Sequence, residues 1–270
     1  MTDIRDILFH NIQDRTYRVR LTPDEDGILS GVEDAYSIAS SLGVRLLSCA
    51  KEGERLIRGV PFAEMLAGPK QVAMAEEQII GTLAKASGIA TAARRAVDAS
   101  GGAVRIVSGS WKKMPPQLKT MVRRAIITGG ADFRICELPM LYIDKNFIRM
   151  FGSVSAALEA TVGLSEPTRV IQIKGELCSV EEETRQAVAG GADILMVDTG
   201  NPGDLRRCLA QMRDLNCGRK LRIAFAGNVH IADIPKMAGL GVDMLCIGKE
   251  IVDARLLDMK LDVVEEAAHV

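Results

Sequence analysis

Aromatic residues are scarce in this chain, 4% of 270 residues with a single tryptophan, which argues against a surface built to stack nucleobases. Charge of neither sign is in excess. The formal net charge is -1, so no bulk field draws the chain to nucleic acid or to an acidic membrane. It has no apolar run of about 18 residues, the least that a bilayer-spanning helix needs. The opening MTDIRDILFHNIQDR lacks the basic start and apolar stretch of a secretory leader. Cys49, Cys136, Cys178, Cys208, Cys217 and Cys246 include no Cys-x-x-Cys pair, so reduced core thiols in a cytoplasmic protein are expected rather than disulfides or zinc ligands. His10, His230 and His269 are dispersed, and no metal cluster can be written from them. Neither a Gly-x-Gly-x-x-Gly turn nor a Walker lysine loop occurs, which sets aside dinucleotide and P-loop binding.

What is present is an ordinary globular balance, 47% hydrophobic and 26% charged, over a length that suits one large α/β unit or two smaller domains. Residues 17–21, 27–29, 44–49 and 61–66 are short β-like runs, with a helix over 32–41 stopped by Gly43. Together they predict a small α+β domain. Residues 72–100 read as helix, interrupted by Gly81 and Gly88, each costing up to about 1 kcal/mol relative to alanine. Seven apart, the two glycines share a helix face, so close packing is expected to compensate. Gly101-Gly102 ends the run.

Six strand candidates follow, each trailed by a helix or turn: 104–107, 140–143, 169–174, 194–198, 221–226 and 244–247. Repeated β/α units predict a parallel sheet closing towards a barrel. A Gly-x-Asp step recurs at Gly130, Gly191 and Gly241; the glycine can stop a helix in the left-handed conformation and the aspartate can cap the turn. The predicted division is an N-terminal domain over 1–100, a barrel over 101–256, and a final strand within 257–270 returning to the first domain.

In barrels of this kind function gathers at the C-terminal ends of the strands. Those ends carry Ser108 to Lys113, then Asp144, Lys145 and Asn146, then Lys174, Gly175 and Glu176, then Asp198, Thr199 and Asn201. Gly227, Asn228, Gly248 and Lys249 end the last two strands. Lysines, glycine amides and a few carboxylates at one mouth suit a phosphorylated, magnesium-chelated substrate. Either glycine alone reads equally well as a mere strand-to-helix turn; the matched pair on consecutive strands favours phosphate. Trp111 either stacks on a ring or anchors its loop.

These residues resemble a known family. EEQIIGTLAKASGIATAARRAVDA, GGADILMVDTGNP, AFAGNV, GVDMLCIG and LLDMKLDV are similar to segments of the quinolinate phosphoribosyltransferases, or nicotinate-nucleotide pyrophosphorylases. RVRLTPDEDGILSG and AKEGERLIRG extend the likeness towards the start, so it covers most of the chain. The resemblance implies an N-terminal α+β open sandwich followed by an incomplete, six- or seven-stranded α/β barrel of the type II phosphoribosyltransferase kind. It implies a homodimer or dimer-based oligomer in which one subunit's N-terminal region covers its partner's barrel mouth. It also implies displacement of pyrophosphate from phosphoribosyl pyrophosphate by a pyridine nitrogen, with Mg2+, in NAD biosynthesis.

Carried over by position, Lys112 matches the lysine of the family's Asp-Thr-Arg-Lys motif and Arg134 the arginine of His-Asn-His-Arg. Asn146 matches the asparagine of Lys-Asp-Asn-His, with Asp144-Lys145 reversed before it. Glu176 and Asp198 match strand-end carboxylates, and Gly227 and Gly248 the phosphate-loop glycines. The expected catalytic set is therefore Lys112, Glu176 and Asp198, the last two also holding the metal. Lys145 and Lys174 join the substrate contacts; Asn228 and Lys249 join the phosphate contacts.

The cations that hold a pyridine dicarboxylate are mostly replaced. Glu77 stands where the family's Glu-Arg-Thr has arginine, and Trp111 where arginine precedes the lysine. His-Asn-His has become Ala131-Asp132-Phe133, and later family histidines fall at Phe147 and Val252. Charge-assisted hydrogen bonds contribute about 1.5–3 kcal/mol each, so quinolinate affinity should fall by orders of magnitude. The expectation is a phosphoribosyltransferase for another nitrogen heterocycle, with Trp111 and Phe133 in apolar contact with the ring and Glu77 facing it. A quinolinate enzyme with a rearranged site and a non-catalytic phosphate-ligand binder are the alternatives.

Overall fold

The computed structural model describes residues 3–216 and 221–267; Cys217 and His269 lie outside them. The elements in chain order begin with α1 (Ile4–Leu8), β1 (Tyr17–Pro23), β2 (Gly27–Ile28), α2 (Val32–Leu42), β3 (Arg45–Cys49), β4 (Arg55–Leu56) and β5 (Ala63–Ala67). Next come α3 (Pro69–Ala75), α4 (Gly81–Ser100), β6 (Arg105–Val107), α5 (Lys119–Thr128), β7 (Met140–Ile143), α6 (Lys145–Phe151) and α7 (Val154–Glu159). The chain continues with β8 (Thr168–Ile173), α8 (Val180–Ala189), β9 (Ile194–Asp198), α9 (Pro202–Asp214) and β10 (Arg222–Ala226). It closes with α10 (Ile234–Ala238), β11 (Met244–Cys246), α11 (Lys249–Val252) and β12 (Met259–Glu266).

Two compact units result: Met1–Arg94 with Trp111–Gly130 and Ile251–Val270, and Arg95–Ser110 with Ala131–Glu250. The first is built on an antiparallel sheet ordered β12-β1-β5-β3. Alternation along β1 decides its two faces. Val19 and Leu21 are buried and pack with Met65, Ile79, Leu83 and Leu257 in one apolar cluster. Arg18 and Arg20 point the other way and share Glu64, at 3.2 and 2.6 Å. Arg20 and Glu64 are directly opposed in the ladder, so register itself makes this pair.

The helical stretch splits where the sequence does not say it should. After α3, residues Glu76–Ile80 form a π-helical turn before α4 begins. Gly88 sits against a crossing backbone: a Cβ there would lie 2.0 Å from the Arg255 carbonyl oxygen. That segment is tied down by the Leu257 N–H to the Ala84 carbonyl (2.9 Å) and by Lys85 Nζ to the Ala254 carbonyl (2.8 Å). Gly81, by contrast, has nothing within 4 Å of its Cβ position. The close packing expected of both glycines is therefore real at Gly88 alone.

The second unit holds a parallel sheet ordered β6-β11-β10-β9-β8-β7. All six strands fall where the sequence predicts them. Asp132 adds an isolated parallel bridge to Val107 at the β6 edge. Val107, Val170, Ile194, Met196, Ala224 and Met244 share one apolar cluster on the sheet. Helices α6, α8, α9 and α10 pack on β7, β8, β9 and β11.

The repeated Gly-x-Asp steps set strand starts. Gly130, Gly191 and Gly241 all have left-handed φ, at 89°, 76° and 86°. The aspartate does not cap its own turn; it reaches to the neighbouring strand. Asp193 Oδ2 accepts the Arg169 N–H at 2.8 Å, and Asp243 Oδ2 accepts the Ile223 N–H at 2.7 Å. Asp132 instead takes the Arg105 guanidinium, at 2.7 Å.

Candidate active site

At the C-terminal end of the parallel sheet, β8 and β9 bring a carboxylate and an ammonium group together. Asp198 closes the buried run Ile194–Val197 and is itself half-exposed. Its Oδ2 accepts from Gln172 Nε2 at 2.6 Å. Gln172 is one residue beyond Ile171 on β8 and lies opposite Met196, so its amide rises from the buried layer towards the strand ends. Its Oε1 accepts the Lys145 N–H at 2.7 Å, which joins the β7–α6 turn to the same network. Lys174 Nζ donates to the Asp198 carbonyl at 2.8 Å. Beneath lie Tyr142, Met196 and Cys246, the last two sulfurs 3.9 Å apart. Burial raises the Tyr142 phenol above its ordinary value, with the nearby Cys246, Asp198 and Asp144 acting in the same direction.

The turn after β8 is organised by an acid on the following helix. Glu183, 3% exposed, accepts the backbone N–H groups of Lys174, Gly175 and Glu176 at 2.8, 2.8 and 3.2 Å. Glu176 carries its carboxylate to Arg149 on α6, at 2.5 Å. The turn after β7 is capped by Asp144, whose Oδ1 accepts the Asn146 and Phe147 N–H groups at 2.8 and 3.1 Å. Asp144 is thus the N-cap of α6, a position that favours a side-chain acceptor.

The two glycine turns have distinct constraints. Gly227 (φ 105°) and Asn228 (φ 59°) are consecutive left-handed residues. A Cβ on Gly227 would lie 2.3 Å from the Gly200 nitrogen, so the turns after β9 and β10 touch backbone to backbone. A Cβ on Gly248 would lie 2.4 Å from Ser110 Oγ, which sets a hydroxyl over the turn after β11. Ser108, just past β6, is fully buried, and its hydroxyl has no hydrogen-bond partner among the described residues. Lys249 opens α11. Beside it, Glu250 Oε1 meets His230 Nδ1 at 2.6 Å, and His230 Nε2 meets Asn228 Nδ2 at 3.1 Å.

The remaining expected residues are placed as follows. Phe133 lies in the second unit with the Arg134 guanidinium over its ring, 4.7 Å from the centroid. Trp111 and Lys112 belong to the first unit, on a single turn of 3-10 helix. The Trp111 ring has the Arg123 guanidinium 4.9 Å from its centroid. Both rings are thus cation-faced rather than purely apolar surfaces. Glu77, also in the first unit, sits on the π-helical turn with its carboxylate 3.1 Å from Arg5.

Family models now bear on this arrangement. The model of the quinolinate phosphoribosyl transferase C-terminal domain matches residues 89–262, and that of the N-terminal domain residues 4–87. The chain belongs to the quinolinate phosphoribosyl transferase family. It is 28% identical over 244 residues to the nicotinate-nucleotide pyrophosphorylase (carboxylating) of Rattus norvegicus, covering 89% of this chain and 79% of that protein. It is 25% identical over 266 residues to the probable enzyme of the same name from Methanothermobacter thermautotrophicus, covering 96% and 93%. The fold matches a NadC deletion mutant with a TM-score of 0.84 at 21% identity, covering 98% of this chain and 92% of that one. It matches the nicotinate-nucleotide pyrophosphorylase of Pyrococcus furiosus with a TM-score of 0.84 at 20% identity, covering 98% and 75%.

Within this phosphoribosyltransferase framework, four polar residues escaped the sequence reading: Gln172, Glu183, His230 and Glu250. Gln172 and Glu183 had a faint signal, a polar residue inside the apolar β8 run and an acid on the buried side of α8. The His230–Glu250 pair had none, because its members lie 20 positions apart in different turns. No group of three or more His, Cys, Asp or Glu side chains able to hold a metal ion forms among the described residues. Nor is any described helix long and apolar enough to cross a membrane.

Proposed function

We propose that this chain transfers the phosphoribosyl group of phosphoribosyl pyrophosphate to the ring nitrogen of a heterocycle other than quinolinate. The observation that carries transfer is Asp198 held by Gln172 beside the Lys174 ammonium. A carboxylate with a fixed oxygen suits the positive, ribosyl-like carbon of the transition state, and a neighbouring cation suits the departing pyrophosphate. In this reading Lys145, Lys174, Arg134 and Asn146 hold the sugar diphosphate. Gly227, Asn228, Gly248 and Lys249 receive the 5′-phosphate.

The donor set fits Mg2+ only in company with substrate. Asp198 offers a carboxylate, while Glu176 is already engaged by Arg149. Mg2+ binds through one or two carboxylates plus substrate phosphates and keeps several waters. Asp198 would therefore hold an ion that arrives on the diphosphate, with Glu176 joining if it leaves Arg149. The ion would supply charge neutralisation at the leaving group.

The acceptor is inferred from what replaced the family's cations. Glu77 and Trp111 stand where the family's motifs carry arginine, and Phe133 where they carry histidine. Losing those motif cations favours a ring without two adjacent carboxylates. The working form is taken to be a cytoplasmic homodimer, with the N-terminal domain over 1–100 and the barrel over 101–256.

Calorimetry with phosphoribosyl pyrophosphate and Mg2+ should register binding, and pyrophosphate release should depend on a heterocycle other than quinolinate. Absence of binding would remove the proposal. The second reading, a nicotinate-nucleotide pyrophosphorylase with a rearranged site, is favoured by the names its relatives carry. Brisk release of pyrophosphate and carbon dioxide with quinolinate would establish that reading instead.

A further inference from the structure

The turn after β10 carries a titratable chain of side chains that phosphoribosyl transfer does not require. His230 Nδ1 lies 2.6 Å from Glu250 Oε1. An ionised carboxylate only accepts, so Nδ1 bears a proton whether the ring is neutral or cationic. On the opposite edge Nε2 lies 3.1 Å from Asn228 Nδ2, the arrangement in which a neutral ring accepts from the amide. Glu250 is fixed in turn by the Ile231 N–H, 2.8 Å from its Oε2. The histidine side chain is 50% exposed, so Nε2 can exchange protons with solvent.

Charge around the imidazole is simple to account for. Glu250 meets it from α11, with Lys249 next in sequence. On its own segment, Asp233 donates its backbone N–H to the His230 carbonyl at 3.0 Å. Partial burial acts to raise the Glu250 carboxyl, but the Ile231 N–H and the imidazole outweigh it and hold it below its ordinary 4.5. Glu250 is therefore anionic at neutral pH.

Resting on the reading of Gly227 and Asn228 as a phosphate turn, we propose that His230 is a proton-linked phosphate contact positioned by Glu250. A phosphate monoester at this turn draws one proton from water onto Nε2. The imidazolium then donates from Nε2 to the ester, and the Asn228 amide is released from Nε2. The only bond formed on the protein is N–H, and the hydroxide left behind is taken up by buffer. An anion beside the ring favours its cationic form. The extra affinity is thus present where the ring is cationic and lost as pH rises.

The probe is ribose 5-phosphate, titrated calorimetrically into the whole chain in two buffers of different ionisation enthalpy, which counts the protons taken up. The free ligand's ionisation is common to wild type, His230→Gln and Glu250→Gln, and the phosphorus chemical shift of the bound ester against pH reads the ligand's share in each complex, so the remaining difference reports the protein. Near about pH 6.5, within the imidazole range, wild type should take up more protons than His230→Gln. It should also bind about tenfold more tightly, the loss expected for one exposed charge-assisted hydrogen bond. By about pH 8.5, beyond that range, the two should converge.

Glu250→Gln should keep the fold, measured by melting temperature, yet lose the fixed Nδ1–H form. Imidazole nitrogen NMR reads that form directly, His230 being the signal missing from His230→Gln. Identical proton counts and pH profiles for wild type and His230→Gln would overturn the role of His230 while leaving the phosphate turn standing. Failure of wild type to bind ribose 5-phosphate or phosphoribosyl pyrophosphate would overturn the phosphate turn, and this role with it.

Discussion

Gln172 holds Asp198: its Nε2 lies 2.6 Å from Asp198 Oδ2, while its Oε1 takes the Lys145 N–H at 2.7 Å. One amide thus fixes the carboxylate at the end of β9 and the turn at the end of β7. Gln172→Leu is close in volume but cannot donate or accept. It should lower turnover by about 10–100-fold, the usual loss when a group that orients an active residue is removed. Asp198→Ala should lose turnover at least as severely. Pyrophosphate release measures both, and circular dichroism should show the fold intact; unchanged turnover in either variant would dissociate Asp198 from the chemistry.

Two glycines should respond in opposite directions. Gly227 has φ 105°, and a Cβ there would meet the Gly200 nitrogen at 2.3 Å. Gly227→Ala should destabilise by about 2 kcal/mol or more from left-handed strain and displaced backbone. Gly81 begins α4 with open space around it, so Gly81→Ala should stabilise by up to about 1 kcal/mol through helix propensity. Chemical denaturation of the two variants beside wild type measures the contrast.

Among the described residues, Glu183 accepts the N–H groups of Lys174, Gly175 and Glu176 at 2.8, 2.8 and 3.2 Å. Glu183→Ala would remove the shared acceptor of three turn N–H groups, one on half-buried Lys174 and two on exposed Gly175 and Glu176, where water can take over part of the role, so a total loss of about 1–3 kcal/mol is expected. A fall in melting temperature of several degrees is expected. Hydrogen exchange should localise the loosening to the turn after β8, and unchanged protection there would contradict the role assigned to Glu183.

Acid should weaken the first unit through Glu64. The Arg20 hydrogen bond is the main cause that lowers its carboxyl below 4.5, with Arg18 adding to it against partial desolvation. A depressed folded-state value means the contribution is complete above the unfolded value and is lost as pH falls through the folded one. Glu64→Gln should therefore reduce stability at neutral pH and flatten the decline below about pH 4.5, the ordinary glutamate range. Melting temperature against pH for the two proteins tests the slope.

Two thiols should be slow to react. Burial pushes both Cys49 and Cys208 up to about 11, with neighbouring acids adding to the shift. The thiolate is the nucleophile, so alkylation of the native protein at neutral pH should spare these two relative to the unfolded chain. Mass spectrometry of partially alkylated protein reads the order directly.

The layout of this molecule was available in its one-dimensional pattern to the extent that it depends on neighbours in the chain. Each parallel strand is a short, mainly apolar run, and the left-handed glycines at Gly130, Gly191 and Gly241 mark where helices stop, so their order could be read by eye. Family segments then pointed to Asp198, Gly227 and Gly248. Gln172 meeting Asp198, His230 meeting Glu250, and the Arg255 carbonyl pressing on Gly88 could not be read that way. Those contacts join residues 20 or more positions apart, and no local rule says which distant turns will meet. Hydrogen bonds and close backbone crossings act over about 3 Å, so they exist only once packing has brought the strand ends together.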